Sequence, residues 1–176
     1  MEKALFKEEQ QFRQWWYILL VVAATVPSLI YAVYALFQKI VNDQLVGDNP
    51  SPTVVLLIMI VFLSALLWSL MVAKLEVMID QKGIHFRFFP LIRKTRLISR
   101  EEIQRYEIRQ YKPIIDYGGW GIKKRFKWGR AYNVSGNQGL QLYLKNGRKV
   151  LFGTQRSQAM IYAMNEMMKS NKRVNN

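Results

Sequence analysis

LLWSLMVAKLEVMIDQKGIHFRFF, residues 66–89, is the stretch on which the fold turns, because the hydrophobic period changes inside it. Up to Ala73 the residues are uncharged and almost all apolar, as in a helix that buries every side. From Lys74 the pattern alternates: Leu75, Val77 and Ile79 against Glu76, Met78 and Asp80, then Ile84, Phe86 and Phe88 against His85, Arg87 and Phe89. A period of two is the strand pattern, and Gln81-Lys82-Gly83 supplies the turn of a β-hairpin. A long apolar helix is therefore expected to pass into a strand without a spacer.

Working outward, Thr53–Ala73 is 21 residues without a charge and Trp15–Phe37 is 23 more. About 20 apolar residues at 1.5 Å rise suffice to cross a bilayer, so the chain reads as a two-pass membrane protein. The expected division is an interfacial segment at 1–14, transmembrane helices at 15–37 and 53–73, an extracytoplasmic loop at 38–52, and a basic domain at 74–176. Leu5, Phe6 and Phe12 among charges suit a short interfacial helix before the first span. Trp15, Trp16 and Tyr17 sit where an aromatic belt is expected, and Pro27 reads as a bend. The first span is too long for a signal peptide and ends without a small-residue cleavage pattern.

Small residues recur at every fourth position, Ala24, Ser28 and Ala32 in one span and Ala65, Ser69 and Ala73 in the other. Such ridges let backbones approach, which predicts an antiparallel helical hairpin, with a homodimer through one ridge as the alternative. No Asp, Glu, Lys, Arg or His lies in either span, so no ion ligand or proton relay is available for transport.

Charge is as unevenly placed as apolarity. Of 26 Lys and Arg, 22 fall in residues 74–176 against seven Asp and Glu, a formal +15, while residues 1–14 balance. The 38–52 segment holds only Lys39, so by the retention of cations on the cytoplasmic side both termini are expected there. Cysteine is absent, which excludes disulfides and thiolate chemistry.

Beyond the first hairpin, Pro90 ends a strand, Arg96–Ser99 can form a third, and Arg100-Glu101-Glu102-Ile103 reads as one helical turn. Tyr106 and Ile108 alternate with charged neighbours in a fourth strand. Residues 111–138, rich in glycine, predict irregular strands and tight turns. Leu140, Leu142 and Leu144 alternate before Asn146-Gly147, a strong hairpin signal, and Lys149–Gly153 returns. Ala159, Met160, Ala163, Met164, Met167 and Met168 lie on one stripe of a final helix over about 157–169.

Short antiparallel strands closed by one helix resemble the pleckstrin-homology-like barrel or sandwich. More narrowly, Gly118-Gly119-Trp120-Gly121-Ile122, Ala131-Tyr132-Asn133-Val134-Ser135-Gly136-Asn137 and Leu151-Phe152-Gly153-Thr154-Gln155 resemble a family of bacterial membrane proteins that pair two spans with such a domain. The resemblance implies an α+β fold at a bacterial inner membrane and no particular activity. Trp occurs only at 15, 16, 68, 120 and 128, so the tryptophan usual in the final helix of eukaryotic relatives is missing and phosphoinositide binding is not implied.

Nothing points to catalysis. His85 is the one histidine and reads as an exposed surface residue; Glu101-Glu102 diverge on a helical turn; no phosphate loop, zinc spacing or dinucleotide fingerprint occurs, so neither metal nor cofactor is expected. Gly118–Gly121 can form an anion nest but reads first as a turn. Lys123, Lys124, Arg125 and Lys127, with Phe126 and Trp128 between them, carry the sharpest binding signal, and Lys82, Arg87, Arg93, Lys94 and Arg96 surround the first hairpin. Anionic lipid headgroups beside the membrane, or a partner protein, are the expected ligands of a non-enzymatic scaffold. A membrane-tethered nucleic-acid binder ranks below, because no recognition motif accompanies the charge.

Overall fold

The computed structural model describes residues 4–12, 15–41 and 53–169. The expected loop over 42–52 and the belt side chains of Trp15, Trp16 and Tyr17 lie outside the described residues. The chain forms two units, one of Arg13–Val72 and one joining Met1–Phe12 to Ala73–Asn176.

The first of these units holds α1 (Trp15–Val41) and α2 (Thr53–Val72). Val21–Val41 is long and apolar enough to cross a membrane, and Thr53–Ser69 is a shorter apolar stretch. The helix α1 continues past Phe37, where a loop was expected, and Gln38 donates one turn back to the Tyr34 hydroxyl at 2.9 Å. The two helices meet through Ala32, Ala35 and Leu56, with Leu36, Met59 and Ile60 packed around them. Of the six small residues expected at this contact, only Ala32 belongs to it. Ala24, Ser28 and Ala65 are exposed, Ser69 is half-buried, and Ala73 lies beyond the end of α2. The reason is helical geometry: at roughly 100° per residue, positions 24 and 32 stand about 80° apart, whereas 25 and 32 stand within about 20°. Among the described residues the buried positions of α1 are accordingly Thr25, Ala32 and Ala35.

The other unit contains two sheets, ordered β1-β2-β3-β4 and β5-β8-β9-β7-β6. β1 is Phe6–Gln11, where an interfacial helix was expected. Glu, Gln and Lys favour helices intrinsically, but this segment alternates strictly, burying Phe6, Glu8 and Gln10 and exposing Lys7, Glu9 and Gln11. Tertiary burial of one face outweighs propensity. β1 pairs antiparallel with β2 (Lys74–Ile79), from Phe6 opposite Ile79 to Gln11 opposite Lys74. β3 (Gly83–Phe89) pairs with β2 as its alternation predicts, and β4 (Ile92–Ser99) is twice as long as the expected third strand.

A 3-10 turn over Arg100–Glu102 leads into the second sheet, built from β5 (Ile103–Gln110), β6 (Gly121–Arg125), β7 (Gly129–Asn133), β8 (Gln138–Leu144) and β9 (Lys149–Gly153). β9 returns into the gap between β8 and β7, so it runs parallel to β7, which departs from the expected antiparallel arrangement. The hydrogen-bonded ladders do not join β4 to β5 or β1 to β6, so the sheets do not close into a barrel. A short helix, α3 (Pro113–Tyr117), was not expected in the glycine-rich stretch; Pro113 starts it and Gly118 ends it in the left-handed conformation.

Between the sheets, Phe86 meets Tyr132 and Phe152 at ring distances of 4.8 and 4.9 Å, and the latter two stack at 5.5 Å. Such pairs contribute about 0.5–1.5 kcal/mol each beyond simple burial. Leu75, Val77, Ile79, Ile84, Leu140, Leu142 and Leu144 complete this core. The terminal helix α4 (Ser157–Lys169) buries Met160, Ala163, Met164 and Met167 against it, at the expected helical spacing. A smaller cluster of Tyr111, Tyr117, Ala131 and Leu151, with Trp128 packed on it, uses the alternate residues of β7 and β9 and so lies on their other face.

Candidate functional site

The two groups of cations singled out in the sequence have different surroundings. On the outward face of the first sheet, Glu9 and Glu76 stand directly opposite each other. Their repulsion is offset by Lys74, whose Nζ lies 3.0 Å from Glu9 and 2.9 Å from Glu76, and by Arg87, which forms two hydrogen bonds to Glu76 at 2.6 and 2.7 Å. The Arg87 guanidinium, with Lys74 beside it, holds the Glu76 carboxyl down to about 2. Arg87 is therefore a partner of the sheet and not a free ligand for headgroups. Lys82 sits in the β2–β3 turn, at the other end of these strands.

Arg93, Lys94 and Arg96 line β4, the edge of the sheet, and are exposed. Among the described residues no carboxylate pairs with them. They follow Leu91, which is 72% exposed at the tip of the β3–β4 hairpin. Leu91 was not singled out in the sequence; only its place after Pro90 in a turn hinted at it.

Lys123, Lys124 and Arg125 belong to β6, another sheet edge, and Phe126, Lys127 and Trp128 form its turn into β7. Gly129, with φ of 80°, permits that turn, since a Cβ there would strike the Lys149 backbone. Phe126 is fully exposed. Trp128 is not: the Arg109 guanidinium lies 3.6 Å over its ring, and its body packs on the Tyr111 and Tyr117 cluster. Arg109 also pairs with Asp116 of α3 at 2.9 Å. Tyr117 in this cluster has its hydroxyl pushed up to about 12 by burial. The expected basic and aromatic run is thus divided into an exposed phenylalanine among cations and a tryptophan committed to packing.

These two groups are not brought into one patch by the strand register. The 126–128 turn joins β7 at Gly129, beside the Lys149 end of β9, while the first sheet reaches the opposite end of β9, where Gln10 donates to the Gly153 carbonyl at 2.7 Å. That contact belongs to a buried polar bridge that no hydrophobic pattern in the sequence signals. Glu8 accepts from the Thr154 hydroxyl at 2.5 Å and from the Gln155 N–H at 2.9 Å, just before α4. Thr154 in turn accepts from the Arg156 N–H at 2.9 Å. A buried carboxylate needs such donors, and a helix N-terminus favours its charge.

His85 is half-buried, not the exposed residue expected, and its Nε2 lies 2.9 Å from Asp80 Oδ2. Asp80 Oδ1 accepts from the N–H groups of Lys82 and Gly83, so this carboxylate ties the β2–β3 turn together. Glu101 and Glu102 are both exposed on the 3-10 turn. A depression lined by Gln110, Tyr111, Lys112, Ile115, Asp116 and Asn137 opens beside α3, where Asp116 is already held by Arg109 and by the Lys112 N–H at 3.1 Å. Among the described residues no His, Cys, Asp and Glu group could hold a metal ion. Neither family models nor curated proteins gave a match to the chain.

Proposed function

We propose that this is a non-enzymatic, two-pass membrane protein that holds a basic binding or scaffold domain at the cytoplasmic face of a bacterial inner membrane. The observation that carries this reading is the pairing of β1 with β2 on either side of the helix pair. Strands bonded to each other lie on one side of a bilayer, so the chain between them crosses an even number of times. With α1 apolar and long enough to span, α2 is the return crossing, and the two make a hairpin. Both termini then share a side, and the net positive charge of the domain favours the cytoplasmic one.

The ligand class follows from the exposed cations Arg93, Lys94, Arg96, Lys124, Arg125 and Lys127, with the half-buried Lys123 beside them: anionic lipid headgroups or an acidic partner protein. Each cation near an anionic surface contributes on the order of 1 kcal/mol, so several together orient a tethered domain. The pleckstrin-homology-like reading of the domain draws support from two stacked sheets with a C-terminal helix against the core, while the parallel β7–β9 pair departs from that pattern. Nucleic-acid binding loses one of its two stacking rings, because Trp128 is covered by Arg109, and keeps Phe126.

The test is extraction of the intact protein from native membranes in mild detergent, with analysis of the lipids and proteins retained. Wild type is expected to retain anionic phospholipid or one acidic protein, and a K123E/K124E/R125E/K127E variant to lose it. Equal retention by both proteins would contradict the reading.

A further inference from the structure

We propose that the tip of the β3–β4 hairpin, Leu91 with Arg93 and Lys94, is a second membrane contact that seats in an anionic lipid surface. The proposal rests on the anchoring reading above and adds to it a place of contact. Three neighbouring strands reach the same level at one end of the first sheet: Gln11 of β1 opposite Lys74 of β2, and Lys74 opposite Phe89 of β3. At that end the chain passes into α1 after Phe12 and arrives from α2 through Ala73. β2 runs away from this end and β3 runs back toward it, so Pro90 and Leu91 project beyond the level of Lys74, at the sheet end where Phe12 and Ala73 connect the strands to the helix pair. Adjacent strands are about 4.8 Å apart, so the tip stands within about two strand spacings of both chain entries.

The chemistry of the tip suits that place. Leu91 is largely exposed and, among the described residues, belongs to none of the buried clusters. Arg93 and Lys94 follow at the start of β4, exposed and without a carboxylate partner among the described residues. An apolar residue at the extremity with long cations one turn behind it matches an interfacial contact: the leucine enters the acyl boundary and the cations meet phosphates. The Phe126 turn carries more cations, but it stands at the end of β7 and β9 opposite to Gly153, the residue that Gln10 contacts close to the chain exits. The β3–β4 tip is therefore the one whose position follows from connectivity.

The absence of cysteine makes a single-cysteine test direct. Full-length Leu91→Cys and Asn146→Cys proteins, each labelled with an environment-sensitive fluorophore, are reconstituted into vesicles of anionic or of zwitterionic phospholipid. Flotation with the vesicles reads anchoring, and quenching by lipid-borne nitroxide against aqueous iodide reads the tip. The expected result is co-flotation of both, with the label at 91 quenched mainly by the lipid nitroxide in anionic vesicles and the label at 146 mainly by iodide. Adding R93E/K94E to Leu91→Cys should shift its quenching toward iodide. Iodide-dominated quenching at 91 in proteins that float overturns the proposal and leaves anchoring intact. Equal lipid quenching in zwitterionic vesicles overturns the assignment to anionic lipid. Failure to float overturns the anchoring reading and the tip contact with it.

Discussion

Glu8 has two acceptor oxygens, each answered by a donor on the chain entering α4, and it lies in a strand 146 positions away from Thr154. Truncating it leaves the Thr154 hydroxyl and Gln155 N–H without their buried acceptor, a loss of about 1–3 kcal/mol. Glu8→Ala should accordingly lower the midpoint of denaturant unfolding of the strand-rich unit, monitored by near-ultraviolet circular dichroism in detergent. Glu9→Ala, on the exposed face, should change it far less, because exposed ion pairs are worth little. Glu76 predicts a pH effect of definite sign. Its carboxyl is held at about 2 by Arg87, below the ordinary value of 4.5. The stabilisation is complete above about 4.5 and is lost as pH falls through about 2. Glu76→Gln should flatten the acid limb of the unfolding midpoint plotted against pH, and an unchanged limb would show that the pair does not stabilise the fold.

At the scale of elements, β1 belongs to the strand-rich unit although the whole helix pair separates it from the other strands. Deleting residues 1–12 should expose the β2 edge and the Thr154 region, and so make residues 74–169 sensitive to limited proteolysis. Retained resistance in the shortened protein would mean that β1 is dispensable. The same strand marks where sequence reading succeeds and fails. β2, β3 and α4 were legible because each repeats its period over several residues and buries one face of it, β8 because Leu140, Leu142 and Leu144 alternate, and β9 because Asn146-Gly147 marks it as the returning strand, although β8 and β9 are buried on both faces. In β1 the period was also present, as Phe6, Glu8 and Gln10, but its inward residues are mostly polar and satisfied only by β9 and the start of α4. Polar inward residues carry no hydrophobic signal, so long-range hydrogen bonds hid the strand. α3 was hidden for a related reason: five residues give no period, and glycines on its C-terminal side read as loop. The contact of α1 with α2 was obscured by counting fours, since Ala32, Ala35 and Leu56 follow the true helical drift. The cations and the rings between them were legible, but not their fates, because Arg87 is claimed by Glu76 and Trp128 by Arg109.

For the molecule as a whole, α1 and α2 occupy the place of a turn between two adjacent antiparallel strands. On the proposed topology the helix pair crosses a membrane out and back while β1 and the rest of the domain share the cytoplasmic side. Single cysteines at Lys7→Cys in β1, Gly47→Cys in the connecting segment and Gln158→Cys at the start of α4, labelled with a membrane-impermeant maleimide, test this most directly. In intact cells with the outer barrier opened, position 47 should label, while 7 and 158 should label only after lysis. Labelling of all three on one side, or of 7 and 158 on opposite sides, would contradict it.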